Sequence, residues 1–163
     1  MHPAALPDEL LLTACDLRRG RGSGPGGQHK NKVSTEVTLT HRPTGIVAQA
    51  GERRSGADNH KVAVLRLRLL LALEVREPLR EPSELWRSRC RGGRVAVNPT
   101  HRDFPALLAE ALDVLDGCEH DPRAAAEHLG CSASQFIKLV KDHPPAFAAW
   151  NRRRAALGQH PLK

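Results

Sequence analysis

The sequence is poor in aromatic residues and has no long apolar run. Of its 163 residues none is tyrosine, three are phenylalanine and two are tryptophan, so its core must be mainly aliphatic. The most apolar stretch, residues 65–75, contains Arg66, Arg68 and Glu74, whereas a membrane span needs about 18 nearly uncharged residues. The first fifteen residues contain no Lys or Arg, which argues against a secretory signal or a transit peptide. We therefore expect a soluble, cytoplasmic protein with no membrane contact.

Cysteine pairs of the C-x-x-C type are also missing, so we expect reduced thiols rather than a disulfide framework. Two thiols and two imidazoles do occur within fourteen residues, at Cys118, His120, His128 and Cys131, and these are ligands that zinc prefers. However, C-x-H followed by H-x-x-C is not a common zinc-finger spacing. We expect ordinary buried cysteines and surface histidines here, and we expect no metal and no cofactor in this protein.

The charge is strongly basic and unevenly distributed. The chain has 25 Lys and Arg against 18 Asp and Glu, a net charge of +7. Residues 1–98 carry this whole excess, while residues 99–163 are neutral. A polyanion is the natural partner for such an N-terminal part. The alternative is a solvated basic surface that keeps the protein soluble.

The first half of the chain has the pattern of a small sheet followed by a long helix. Residues 36–41 alternate polar and apolar side chains, residues 46–50 are β-prone, and residues 42–45 form a turn between them. Residues 13–18 are a candidate third strand, and residues 8–12 fit a helical turn equally well. The pattern from 57 to 79 is helical, with a broad apolar face that would cover the sheet.

The second half predicts short capped helices. Apolar residues recur with helical spacing from Phe104 to Leu115. Asp121 with Pro122 predicts the start of another helix, which ends at Gly130. Further signals are a capping box formed by Ser132 and Gln135, with a helix to about Asp142, and a last helix between Pro145 and Gly158. The predicted class is thus α+β, with a first domain at 1–80, a basic connector at 81–102 and a helical C-terminal domain at 103–163.

The densest signal is the glycine-rich segment 19–32, with five glycines in the eight positions 20–27. A Walker A loop would need Lys and Ser or Thr after its last glycine, and Gln28 follows Gly27 instead. Gly22, Gly24 and Gly27 match G-x-G-x-x-G, but the next residues are polar rather than the apolar start of a Rossmann helix. A dinucleotide site and an inert flexible loop are the alternatives that these residues leave open.

Residues 23–32, SGPGGQHKNK, resemble the GGQ domain of class I peptide chain release factors and of their short ribosome-rescue relatives. The resemblance continues through residues 40–47 and 52–55 and covers roughly residues 10–79. It implies a small antiparallel sheet that carries the GGQ loop and one long packed helix. It also implies a protein that enters the peptidyl transferase centre of the large ribosomal subunit and promotes the hydrolysis of peptidyl-tRNA.

This resemblance assigns the catalytic role to Gly26, Gly27 and Gln28. Adjacent glycines permit a close approach to the tRNA end. A glutamine amide has no proton chemistry near neutral pH, so any catalysis must come from positioning and from hydrogen-bond donation by its backbone N–H. The expected RNA contacts are Ser23, His29, Lys30, Asn31, Lys32, Arg53 and Arg54. The implied partners are large-subunit ribosomal RNA, peptidyl-tRNA and a glutamine methyltransferase that modifies Gln28.

The chain also departs from the family pattern at both ends. Full-length release factors read stop codons with a separate domain on the N-terminal side, and only about fifteen residues precede the resemblance here. We therefore expect codon-independent release of nascent chains from stalled ribosomes or large subunits. Rescue relatives commonly end in a basic tail, whereas this chain ends in neutral helices.

Residues 124–141 are similar to a helix-turn-helix, with Gly130 in the turn and with Lys138 and Lys141 on the second helix. Both nucleic-acid contact and plain helix packing fit this pattern. The alternative function for the whole chain is accordingly a non-catalytic RNA- or DNA-binding module. It would use the basic GGQ domain together with this helix-turn-helix-like tail.

Overall fold

The computed structural model describes residues 1–20, 35–78 and 80–163. These residues form two compact units, which we call the sheet unit (Met1 and Pro3–Leu71) and the helical unit (His2 and Ala72–Lys163). The α+β class predicted from the sequence is confirmed. The predicted domain limits at 80/81 and 102/103 stay predictions, since a compact unit need not share its limits with a domain.

The sheet unit contains one three-stranded antiparallel sheet and one long helix. Its strands are β1 (Cys15–Gly20), β2 (Glu36–His41) and β3 (Val47–Ala50), and their order in the sheet is β1-β2-β3. A 3-10 turn (Pro3–Ala5) and helix α1 (Asp8–Thr13) precede β1, and helix α2 (Gly56–Glu74) follows β3. The predicted helical turn and the candidate third strand therefore both form, one after the other.

The core of the sheet unit is aliphatic, as the low aromatic content predicts. The inward positions of β2 and β3 alternate with exposed or half-buried ones, because successive side chains of a strand point to opposite faces. On α2 the buried positions follow a helical stripe. The buried apolar residues of this unit are Ala4, Leu11, Val37, Leu39, Ala48, Ala50, Ala63, Val64, Leu67 and Leu71.

Helix α2 ends at Glu74, five residues before the predicted end at 79, and the prediction was wrong there. The guanidinium of Arg76 folds back onto the helix end, where it donates to the carbonyls of Ala72 at 2.9 Å and Leu73 at 2.5 Å. These carbonyls are among those that a helix end leaves without partners. In addition, Pro78 disfavours the helical conformation for the residue before it.

The helical unit has five further helices and a short hairpin among its described residues. They are α3 (Glu84–Arg89), β4 (Cys90–Arg91), β5 (Arg94–Val95), α4 (Phe104–Gly117), α5 (Pro122–His128), α6 (Ala133–Lys141) and α7 (Pro144–Ala156). The segment interpreted as a connector thus contains a helix and a two-stranded antiparallel hairpin. Its Trp86 is almost completely buried and donates its indole N–H to the carbonyl of Leu129 at 2.8 Å.

Helices α5 and α6 both begin with the predicted N-cap residue. The carboxylate of Asp121 accepts from the N–H of Arg123 at 2.9 Å, and the hydroxyl of Ser132 accepts from the N–H of Gln135 at 3.2 Å. The capping box is only half formed, because the side-chain oxygen of Gln135 accepts from the N–H of Val95 instead. Among the helices of the described ranges, none combines the length and the apolar character needed to cross a membrane.

Candidate functional site

The glycine-rich segment connects two paired strands of the sheet unit. Strand β1 ends at Gly20, strand β2 begins at Glu36, and these two residues are partners in the antiparallel ladder. The chain therefore leaves the sheet after Gly20 and enters it again at Glu36 at the same place. The predicted catalytic residues Gly26, Gly27 and Gln28 lie outside the described residues, as do the predicted RNA contacts Ser23, His29, Lys30, Asn31 and Lys32.

The chain returns to this same end of the sheet after β3. Ala50, the last residue of β3, pairs with Val37, which follows Glu36 in β2. The carboxylate of Glu36 accepts from the side-chain amide of Gln49 at 2.5 Å. Gly51 lies so close that a Cβ atom there would be 3.3 Å from Cγ of Glu36. Residues 51–55, which we call the return loop, therefore begin beside Gly20 and Glu36, the residues between which the glycine-rich connection leaves and re-enters the sheet.

A buried asparagine fixes the return loop to the residue that follows the glycine-rich segment. Asn59, in the first turns of α2, has no exposed surface. Its side-chain N–H groups donate to the carbonyls of Thr35 at 2.7 Å and Arg53 at 3.0 Å. Its side-chain oxygen accepts from the N–H of Arg53 at 2.9 Å. Three hydrogen bonds thus hold the backbone of Thr35 and Arg53 against the start of one helix.

The acidic residue of the return loop is neutralised inside the sheet unit. The two terminal nitrogens of the Arg66 guanidinium donate to the carboxylate of Glu52, Nη2 at 2.6 Å and Nη1 at 3.2 Å. Nη1 also donates to the carbonyl of Gln49 at 2.7 Å. Hydrogen bonds from the N–H groups of Glu52 and Gly51, and then the bonds from Arg66, lower the pKa of the Glu52 carboxyl. The Glu52 carboxylate is consequently engaged by Arg66 rather than by its neighbours in the loop, Arg53 and Arg54.

Four exposed arginines lie at or near this end of the sheet unit, and we call them the basic rim: Arg18, Arg19, Arg53 and Arg54. Arg18 and Arg19 are the last side chains of β1 before Gly20. Within the described ranges none of the four takes part in an ion pair. An exposed guanidinium without an acidic partner is suited to a phosphate oxygen, to which it can donate two parallel hydrogen bonds.

Two arginines of α2 serve the fold instead. Arg66 binds Glu52, as described above. Arg68 is nearly buried, and it donates to the carbonyl of Ala4 at 2.7 Å and to the carboxylate of Asp8 at 2.5 Å. The sequence shows both as helix arginines on a basic chain, and only the structure separates them from the basic rim.

The possible zinc ligands occur in the helical unit. The thiols and imidazoles of Cys118, His120, His128 and Cys131 are half-buried, and Nε2 of His128 lies 2.8 Å from the carbonyl of Arg80. Burial raises the pKa of the Cys131 thiol to about 11, which keeps it protonated near neutral pH. In the part of the chain that the structure describes, no three His, Cys, Asp or Glu residues are gathered as a metal site.

Comparison with known proteins gives one family and several relatives. The model of the RF-1 domain matches residues 12–97, just over half of the chain. Peptide chain release factor 2 of Acidovorax sp. (strain JS42) is 44% identical over 80 residues, which are 47% of this chain and 22% of that protein. Peptide chain release factor 1 of Streptomyces avermitilis is 40% identical over 93 residues, 55% of this chain and 26% of that protein.

A shorter relative matches as well. An uncharacterised, mitochondrial peptide chain release factor-like protein of Saccharomyces cerevisiae is 51% identical over 51 residues, 31% of this chain and 33% of that protein. The matched part therefore spans about a fifth to a third of the length of these curated relatives.

Proposed function

This chain belongs to the RF-1 domain family, and we propose that it hydrolyses peptidyl-tRNA on the ribosome through the segment 23–32. One observation carries the proposal: the tripeptide Gly26-Gly27-Gln28 lies in the connection between two strands paired at Gly20 and Glu36, inside the matched family region. The basic rim supports it, because its guanidinium groups have no ion-pair partner among the described residues and suit ribosomal RNA phosphates.

The proposed chemistry is an ester hydrolysis that needs no titrating side chain. Water adds to the ester carbonyl carbon, the bond to the ribose oxygen of the tRNA breaks, and that oxygen takes up a proton. The backbone N–H of Gln28 would donate a hydrogen bond to the oxygen on which negative charge develops. One such preorganised donor contributes on the order of 3 kcal/mol to transition-state stabilisation.

We further propose that these 163 residues release the peptide without reading a stop codon. Ribosomes stalled on an mRNA that ends in the P site, or large subunits that carry peptidyl-tRNA, would then be the substrates. Methylation of Gln28 stays a prediction from the family resemblance, as does the cytoplasmic location.

Gly27→Ala tests the hydrolysis. The added methyl group obstructs the approach to the tRNA end and displaces the N–H of Gln28, so release should fall about 100-fold or more. Ribosome affinity should change by about twofold or less, because basic side chains carry it. Gly20→Ala is the matched control: its Cβ would lie 3.5 Å from a carboxylate oxygen of Glu36, an ordinary contact.

The assay compares release from complexes with a truncated mRNA, a sense codon or a stop codon. Release that requires the stop codon would contradict codon independence. Wild-type protein that binds stalled complexes without releasing peptide, and is indistinguishable from Gly27→Ala, would instead support the non-catalytic binding module.

A further inference from the structure

The hairpin β4–β5 of the helical unit is attached to the first turn of α6. Its two turn residues, Gly92 and Gly93, have φ angles of 56° and 75°, the left-handed values that a tight two-residue hairpin turn requires. The carbonyl of Gly93 accepts from the N–H of Ser132 at 3.0 Å. The N–H of Val95 donates to the side chain of Gln135 at 3.3 Å. Hairpin and helix therefore present one continuous surface.

The tip of this hairpin carries two arginines in an electrostatically unfavourable arrangement. Arg91 and Arg94 are direct cross-strand partners, and both are exposed. Like charges directly opposite each other destabilise a strand pair. Neither arginine has an acidic partner within the described ranges, whereas the nearby Arg89 donates to Asp103 at 2.6 Å. The fold thus tolerates a repulsion at the hairpin tip that a bound anion would relieve.

Helix α6 continues this basic surface. Phe136, Leu139 and Val140 are buried, and the opposite side of the helix exposes Lys138 and Lys141. The acidic group at the end of this helix, Asp142, lies 3.0 Å from the ammonium of Lys138. We call this set the hairpin–helix surface: Arg91 and Arg94 at the tip, which have no acidic partner in the described ranges, and Lys138 and Lys141 on the helix, which already donate to Asp142 and to the carbonyl of Lys163. The arginines of the tip are therefore the cations of this surface that are most readily available to a phosphate.

The surface lacks the features that other partners need. In the described part of the chain, the large hydrophobic side chains that are exposed are Met1, Leu10, Leu17, Val47 and Leu157, and none belongs to this surface. Membrane insertion and protein hot spots both depend on apolar or aromatic anchors. Single-stranded nucleic acid is held largely by stacking on exposed aromatic rings. The neighbouring Trp86 and Phe136 are buried, and the half-buried ring of Phe147 is already covered by the ammonium of Lys141, 5.6 Å from its centroid.

We propose that the hairpin–helix surface binds the phosphate backbone of double-stranded RNA. Arginine side chains at a glycine tip can reach phosphates across a groove, and RNA duplexes are recognised mainly by shape and by backbone contacts. The choice of RNA over DNA rests on the proposed function at the ribosome, whereas the phosphate contacts follow from the surface alone. This surface is separate in sequence from the GGQ segment and needs no catalysis.

The test uses the full chain and a fluorescent RNA duplex of about 16 base pairs, with binding measured by anisotropy over a series of KCl concentrations. The variant Arg91→Gln/Arg94→Gln should bind about tenfold more weakly near 0.1 M salt. Its slope of log K against log salt should fall in magnitude by about 1.5, because each lost phosphate contact removes roughly 0.7–0.9. The variant should fold at least as stably as the wild type, since a repulsion is removed.

The matched control, Arg123→Gln/Arg152→Gln, removes two exposed charges of the helical unit that do not belong to the surface and that, like Arg91 and Arg94, have no acidic partner within the described ranges. It should weaken binding about twofold or less. Equal losses in both variants, or wild-type affinity in Arg91→Gln/Arg94→Gln, would overturn the proposal. The proposal would also be overturned if the wild type bound polyglutamate more tightly than the RNA duplex. The same holds if Arg91→Gln/Arg94→Gln lost affinity only for a DNA duplex of the same sequence and not for the RNA duplex. Peptide release by the wild type is measured separately. Its absence would refute the proposed hydrolysis but would leave the difference in RNA affinity between the two variants unaffected.

Discussion

Replacement of Asn59 by alanine should loosen the sheet unit at the base of the glycine-rich segment. The side chain is fully buried and makes three hydrogen bonds to the backbone of Thr35 and Arg53. At about 1 kcal/mol each, their loss costs about 3 kcal/mol. The higher helix propensity of alanine offsets about 0.6 kcal/mol of this. We therefore expect the free energy of unfolding of the sheet unit to fall by about 2.5 kcal/mol.

The assay must report on the sheet unit alone, and tryptophan fluorescence does not. Both tryptophans, Trp86 and Trp150, belong to the helical unit. Hydrogen exchange followed by mass spectrometry resolves peptides from β2 and α2, where exchange should accelerate about 70-fold if it proceeds through opening of the unit. Tryptophan fluorescence then serves as the internal control and should keep its unfolding transition.

Asn151→Ala provides the comparison in the other unit. Asn151 makes two hydrogen bonds to the backbone of Leu162, so its loss should leave exchange in β2 unchanged. Peptide release by Asn59→Ala should decrease more than ribosome binding does, because Thr35 and Arg53 hold the ends of the segment and of the return loop. Unchanged exchange in β2 and α2 of Asn59→Ala would refute the reasoning.

Two further predictions concern buried groups. Trp86→Phe removes the donor to the carbonyl of Leu129 and leaves a buried acceptor unsatisfied. The free energy of unfolding of the helical unit should therefore fall by about 2 kcal/mol, as measured by urea unfolding with Trp150 fluorescence. A decrease of less than about 0.5 kcal/mol would contradict this prediction. Burial, and then the charge of Arg42, lower the pKa of His41 in the folded protein. The unfolded chain, whose histidine has a pKa of about 6.5, therefore binds a proton more readily than the folded protein does. The neutral His41 consequently contributes to the stability of the sheet unit above about pH 6.5, and this contribution is lost as the pH falls below that value. His41→Asn should flatten this decline in thermal unfolding of the sheet unit, and an unchanged pH profile would show that His41 does not cause it.

Local pattern predicted the elements of this protein where neighbouring residues decide the structure. Strands β2 and β3 follow from alternation and a turn, and the start of α5 follows from Asp121 and Pro122. The hairpin β4–β5 carried a comparable signal in Gly92-Gly93, because two glycines between short extended runs are typical of a tight hairpin turn. The surrounding arginines and prolines instead favoured the interpretation as a connector.

The roles of buried polar side chains could not be predicted, because their partners are distant in the sequence. Asn59 binds a carbonyl 24 residues earlier, and Arg68 binds one 64 residues earlier. An asparagine in the first turns of a helix is usually interpreted as a local cap. Only the packing of α2 on the sheet determines that Asn59 instead joins two separate segments.

The surfaces on which RNA contacts are proposed are distinguished by arginines without an ion-pair partner in the described ranges, rather than by the net charge of the chain. The excess of +7 describes the chain as a whole, yet Arg66 and Arg68 are held by Glu52 and Asp8, and Arg89 is held by Asp103. A cation engaged in this way would have to break its ion pair before it could bind a phosphate, and its release of counterions would be small. The arginines without such a partner in the described ranges include the basic rim and the two arginines of the hairpin tip. Neutralising either group should therefore reduce the salt dependence of RNA binding, whereas replacing Arg66 or Arg68 should reduce stability first.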